Sequence, residues 1–247
     1  MNLKIEKTSL QNIRELRNMF LQETKMQFVC NKCHDYGWSD DYMFTVDGSK
    51  IGYGCVWGTD RREDRDTIFE FYLLQDYRKN ADNIFEQFRS KTVATMVEAQ
   101  TNDPQLIEML YKQTENIRAE AILFEDYIET SHKIDGAIFR RKTADDKLED
   151  DDSDFVVELD GKVVATGGFL LNYNFPYADI YMGVQETHRG NGFGSYIVQE
   201  LKKEIRKLER VPAARCNISN QLSKATLMKA GFRICGYRVK GDLKKVD

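Results

Sequence analysis

Three prolines in 247 residues leave no material for a proline-rich linker. No apolar run approaches the ~18 residues that a membrane-spanning helix needs, so no membrane partner is expected. The opening stretch, Met1-Asn2-Leu3-Lys4-Ile5-Glu6-Lys7, lacks the apolar core of a secretory signal, which points to a cytoplasmic protein. A basic excess is missing as well. Lys and Arg number 36 against 40 Asp and Glu, a net charge of −4, which argues against nucleic acid as a partner. Cysteine is sparse and odd in number: Cys30, Cys33, Cys55, Cys216 and Cys235. The missing signal and the odd count argue against a disulfide framework. Cys30-Asn31-Lys32-Cys33-His34 has the spacing of a haem attachment site and of half a zinc site. The first would need export, and the second two further ligands that no neighbouring Cys/His pair supplies. The expectation is a loop holding two reduced thiols and no metal. For His34 and His132 the sequence names no partner.

What is present describes a folded α/β protein. Hydrophobic residues make up 41% and charged residues 31%, enough for a sizeable core in one large or two small domains. A first hairpin is expected from Tyr42 to Trp57, turning at Asp47-Gly48, and a second from Phe155 to Leu171, turning at Asp160-Gly161. Each is followed by a strand, a polar turn, a helix, a strand, a helix and a strand. The region 27–41, with the cysteine pair, reads as irregular. The acidic run from Asp145 to Asp154 repels itself and reads as a solvated loop, a polyamine site being the functional alternative. The two halves repeat in letters too. Leu73-Leu74-Gln75-Asp76-Tyr77-Arg78-Lys79-Asn80-Ala81-Asp82-Asn83 parallels the eleven residues from Val184 to Gly194. Arg78 matches Arg189 and Asn80 matches Asn191, but Lys79, Ala81 and Asn83 stand where the second copy has glycine.

That second copy organises the chain. The apolar run Ile180-Tyr181-Met182-Gly183-Val184 enters it, and Arg189-Gly190-Asn191-Gly192-Phe193-Gly194-Ser195 turns it. A helix leaves it, with Phe193, Ile197, Leu201, Ile205 and Leu208 at helical spacing. Strand, glycine turn and helix N-terminus make an anion cradle: glycine allows close backbone approach, and the first helical turn offers free N–H groups and a favourable dipole. The turn lacks the Gly-Lys-Ser/Thr of a P-loop. It also misses the dinucleotide fingerprint, whose third glycine would fall at Ser195.

The spacing that fits is Arg-x-x-Gly-x-Gly, at Arg189, Gly192 and Gly194, which resembles the coenzyme A signature of the GNAT superfamily of N-acetyltransferases. The resemblance implies a mixed-sheet α/β protein of the GNAT-type acyl-CoA N-acyltransferase fold, in two tandem halves. Residues 1–129 would form a degenerate GNAT-like domain without cofactor, and 130–247 a GNAT domain with the acetyl-CoA site. It implies acetyl-CoA as cosubstrate, and acetyl transfer to the primary amine of a small molecule or peptide in a ternary complex. A non-catalytic coenzyme A-binding module, or a transferase of a longer acyl group, are the alternatives. Backbone of Met182 and Val184 would line the pantetheine arm. N–H groups of Arg189, Gly190, Asn191, Gly192, Phe193, Gly194 and Ser195 would hold the pyrophosphate, and Asn220 would contact the cofactor. Asp179 and Tyr181, on one face of the entering strand, are the candidate catalytic residues. The family's usual tyrosine acid is replaced by Leu227. Acceptor identity and oligomeric state have no signature in the sequence.

Overall fold

The computed structural model describes residues 2–23, 31–146 and 153–245. They form two compact units. Unit 1 runs to Glu120 and resumes at Gly236; unit 2 is Ala121–Cys235. The chain passes between the units twice, at residues 120–121 and 235–236.

Unit 1 opens with β1 (Leu3–Thr8), α1 (Leu10–Glu23) and the short α2 (Asn31–Asp35). Then come β2 (Ser39–Val46), β3 (Ser49–Trp57) and β4 (Thr67–Leu73). A 3-10 turn at Gln75–Asn80 leads to α3 (Ala81–Ser90), β5 (Met96–Gln100) and α4 (Pro104–Gln113). The first part of β6 (Thr114–Asp126) and the last part of β12 (Phe232–Leu243) complete the unit. Its strand order is β1-β2-β3-β4-β5-β12, with β4 and β5 parallel. Phe71, Phe85, Phe88 and Leu106 pack α3 and α4 on one face, while Ile13, Leu16, Phe20, Tyr53 and Tyr72 pack α1 on the other. The irregular stretch expected at 27–41 contains α2 and the start of β2; residues 27–30, Cys30 included, lie outside the described residues.

Unit 2 repeats the plan with β7 (Ile138–Arg141), β8 (Phe155–Leu159), β9 (Lys162–Leu170) and β10 (Tyr177–Val184). A 3-10 turn at Glu186–His188 precedes α5 (Phe193–Lys207), β11 (Val211–Asn217) and α6 (Gln221–Lys229). The strand order is β6-β11-β10-β9-β8-β7, with β10 and β11 parallel. Phe193, Ile197, Leu201 and Ile205 form the buried stripe of α5; Leu208, expected on it, lies just past the helix end and is half exposed. Buried Lys202 fastens α5 to the surrounding loops through Asp126 at 2.7 Å and the carbonyls of Ile128 and Ala230.

Both Asp-Gly turns form as expected. Asp47 and Gly48 have φ of 50° and 84°, and Asp160 and Gly161 have 50° and 74°. Two successive positive φ values match the right-handed twist of hairpin strands, and Asp and Gly tolerate them best. The units differ ahead of their hairpins. α1 separates β1 from β2, whereas the described residues between β7 and β8 form no helix. Of the acidic run, 147–152 lie outside the described residues; Asp146 is held by Arg140 at 2.7 Å, which keeps its carboxyl well below the usual range. Among the described residues no helix is long and apolar enough to cross a membrane.

Candidate active site

The site begins where two parallel strands part. β10 pairs with β11 from Tyr177 to Ile180 only, while its pairing with β9 continues to Val184. A wedge therefore opens beside the last turn of β10. Successive strand residues direct their backbone groups to alternate sides. Gln185 N–H donates to Val164 on the β9 side at 2.9 Å, so Val184 and Met182 present their N–H and C=O groups to the wedge. Any extended chain laid there could hydrogen-bond to them as an added strand would.

Past Val184 the chain turns through Gly190 and Gly192, with φ of 82° and 87°. Both lie in the left-handed region, where a Cβ is strained. Gly192 caps α5, whose first N–H groups have no partner inside the helix. Gly194 serves packing: a Cβ there would stand 3.0 Å from the Thr226 methyl, where α5 approaches α6. Ser195 closes the same contact by donating to the Thr226 carbonyl at 3.2 Å. Arg189 Nε donates to Val184 O at 3.3 Å. The result is a cleft of about 500 Å³ containing Met182, Val184, Arg189, Gly190, Gly192, Phe193, Gly194, Ser195 and Asn220 from the sequence-derived set. Asn191 is not among its lining residues; its side chain reaches toward His188 O at 3.5 Å. Asn220 lines the cleft and also caps α6, accepting from Ser223 N–H at 2.9 Å. Leu222, Thr226 and Lys229 line it too. The sequence reading missed these, although their spacing of four and then three residues puts them on one face of α6. Lys229 adds a second cation to Arg189.

A hollow of about 320 Å³ adjoins this cleft, lined by Leu170, Asp179, Ile180, Tyr181, Met182, Arg215, Ser223 and Leu227. Asp179 and Tyr181 come together there, on the face opposite the α5 core that holds Ala178 and Ile180. Asp179 is buried, and its carboxylate meets Arg215 Nε at 3.3 Å, which offsets part of the cost of burial. The Arg215 guanidinium lies 4.8 Å over the Tyr173 ring and donates to its phenol. Gly168, paired with Tyr181 across the sheet, leaves room for that phenol, which a Cβ would strike. Leu227 is buried and brings no exchangeable proton.

Unit 1 builds the same framework and fills it. β4 pairs with β5 over Thr67 and Ile68 only, so a wedge opens here too. Leu73, the counterpart of Val184, donates its N–H to the Gln105 side chain of α4 at 2.9 Å. Its carbonyl accepts from Arg78 Nε at 3.0 Å, as Val184 does from Arg189. Arg78 is further held by Gln75 and Glu23. No left-handed glycine precedes α3: Ala81 has φ −55° and donates its N–H to Arg78 O. Asp82, in the first turn, pairs with Lys112 at 2.9 Å.

On the α1 face of unit 1 lies a buried ionic network. Arg17 grips both oxygens of Glu70 at 3.0 Å, and Tyr53 donates to the same carboxylate at 2.9 Å. His34, for which the sequence named no partner, bridges Glu70 at 3.2 Å and Asp41 at 3.1 Å. Burial alone would lower the His34 pKa, but the Glu70 charge and both hydrogen bonds overcome it and push it to about 9. Burial would raise the Glu70 pKa, but the Arg17 and His34 charges bring it down to about 2. The donor atoms of His34, Cys55 and Glu70 lie within 4.8 Å of one another. Burial, then the Glu70 and Asp41 charges, hold the Cys55 thiol well above its ordinary pKa and hence protonated. Two cations against two carboxylates make the network neutral as it stands.

Two family models match in tandem. One described as "Acetyltransferase (GNAT) domain" covers residues 9–127, and one described as "Acetyltransferase (GNAT) family" covers 117–232. Among solved structures, a GNAT-family acetyltransferase from Colwellia psychrerythraea superposes with a TM-score of 0.78 at 14% identity, over 98% of this chain and 100% of that one. A tandem GNAT protein from the clavulanic acid biosynthesis pathway, without AcCoA, gives 0.62 at 12% identity over 100% of both chains. A GCN5-related N-acetyltransferase from Sphaerobacter thermophilus gives 0.54 at 12%, over 84% and 82%. At these identities the likeness is one of fold. No curated protein matches the sequence.

Proposed function

Because the chain belongs to the GNAT acetyltransferase family, with two of its domains in tandem, we propose that unit 2 transfers an acetyl group from acetyl-CoA to a primary amine and that unit 1 binds no cofactor. One observation carries this reading. The strand wedge at Met182 and Val184 and the glycine cradle before α5 open into one cleft, and that cleft ends at a separate hollow. A long anionic thioester and a small amine each have a place.

The residues divide the work by position. N–H groups of Gly190, Gly192, Phe193, Gly194 and Ser195, which line the cleft, would face the pyrophosphate, with Arg189 and Lys229 as nearby cations. Met182 and Val184 hold the pantetheine arm by backbone hydrogen bonds, which places the thioester beside the hollow. A backbone N–H near Val184 would receive the oxyanion that forms as the amine attacks. Attack requires a neutral amine, so a proton must leave it. Tyr181 adjoins Met182 on β10. Asp179 is three residues away, about 10 Å along a strand, and would take the proton through intervening water. Asp179 held by Arg215 also gives the hollow a charged floor suited to orienting a polar acceptor.

Release of thiol from acetyl-CoA over a panel of primary amines tests the reading. Turnover with at least one amine is expected. Binding of coenzyme A without turnover across amino acids, polyamines and peptide N-termini would favour a non-catalytic binding module, the reading that Leu227 in the tyrosine position supports.

A further inference from the structure

The cofactor cleft and the acceptor hollow have two lining residues in common, Met182 and Ser223. If the donor occupies one cavity and the amine the other, as proposed above, the bond that breaks must lie where both can reach it. Thr226, Ser195 and Asn220 line only the cleft; Asp179, Tyr181 and Arg215 line only the hollow. Met182 brings a thioether and no exchangeable proton. Ser223 brings a hydroxyl. It stands in the first turn of α6, its backbone fixed by the 2.9 Å bond from its N–H to Asn220 Oδ1. Leu227 follows four residues later on the same helical face, buried, lining the hollow.

We propose that the Ser223 hydroxyl is the catalytic group that receives the departing sulfur. As the tetrahedral intermediate collapses, the carbon–sulfur bond breaks and its electron pair goes to sulfur, while the new carbon–nitrogen bond remains. The Ser223 O–H donates a hydrogen bond to that sulfur as charge builds there. The proton lost by the amine nitrogen balances the one the thiolate takes up, so no other reactant is needed. A hydroxyl is a weak acid and a thiolate a good leaving group. The contribution is therefore that of a positioned donor. This inference rests on the transferase reading of unit 2.

Three variants of the full chain test it: Ser223→Ala, and the pair Ser223→Thr and Ser223→Val, which have equal volume and differ in the hydroxyl. With the best amine of the panel, Ser223→Ala and Ser223→Val should lose roughly 100-fold in kcat. Ser223→Thr should stay within a few-fold of native, and coenzyme A affinity should change little in all three. Thr and Val variants with equal kcat, or coenzyme A affinity falling in step with kcat, would overturn the proposal while leaving the transferase reading intact. Absence of turnover by the native chain would overturn both.

Discussion

Leu73 in unit 1 and Val184 in unit 2 occupy the same place at the mouth of a parting strand pair, and their backbone groups have different partners. The Leu73 N–H goes to Gln105, a side chain of its own unit. The Val184 N–H faces a cleft of about 500 Å³. The same contrast recurs at the helix that follows. Asp82 and Lys112 pair at the start of α3, whereas left-handed glycines leave the start of α5 approachable. Glu70, the counterpart of Tyr181 in the repeat, is locked among Arg17, His34 and Tyr53. A wedge between parallel strands is thus common to both units. Whether it can take a ligand depends on whether the chain satisfies the wedge's polar groups itself.

The largest effect that would sharpen this contrast lies in the locked network. Glu70→Gln leaves Arg17 and His34 as buried charges with one carboxylate fewer, and should destabilise unit 1 by about 3–5 kcal/mol. Hydrogen exchange in β3 and β4 reads this directly. A loss under ~1 kcal/mol would mean that the network does not hold the unit together. The same groups set a pH window. His34 is raised from 6.5 to about 9, so its contribution is complete below 6.5 and is lost as pH rises through 9. Glu70 is lowered from 4.5 to about 2, so its contribution is complete above 4.5 and is lost as pH falls through 2. The stabilisation supplied by this network should therefore be greatest between 4.5 and 6.5, and His34→Gln should flatten its alkaline limb. A smaller effect is expected from Gln105→Ala, which leaves the Leu73 N–H without its acceptor, at a cost of about 1–3 kcal/mol. It should not create coenzyme A affinity, since α3 still begins with Ala81 and Asp82. Affinity gained by that one change would mean that Gln105 alone closes the wedge.

How much of this the sequence carried depends on how local each feature is. Both hairpins were legible because positive φ at two successive positions calls for Asp-Gly. The glycine turn was legible because Gly190, Gly192 and Gly194 alternate within five residues, and the repeat because Arg78 and Arg189 keep the same offset from their strands. The His34–Glu70 and Arg17–Glu70 pairs span 36 and 53 residues, and no local pattern announces them. Arg215 meets Asp179 only because β11 lies beside β10, and Thr226 meets Gly194 only because α6 packs on α5. The lengths of β6 and β12 have no local signature for a related reason. Glu115, Arg118 and Glu120 on β6, and Arg238 and Lys240 on β12, weaken any strand signal, and cross-strand ion pairs such as Lys240–Glu120 at 3.0 Å offset that weakness only after folding.

The number of coenzyme A molecules bound per chain, measured by titration calorimetry, tests the contrast between the units most directly. The account predicts one, at unit 2, lost when Gly192→Val puts a β-branched side chain at φ 87° in the glycine turn before α5. Two molecules per chain, or a single one that survives Gly192→Val with unchanged affinity, would contradict it.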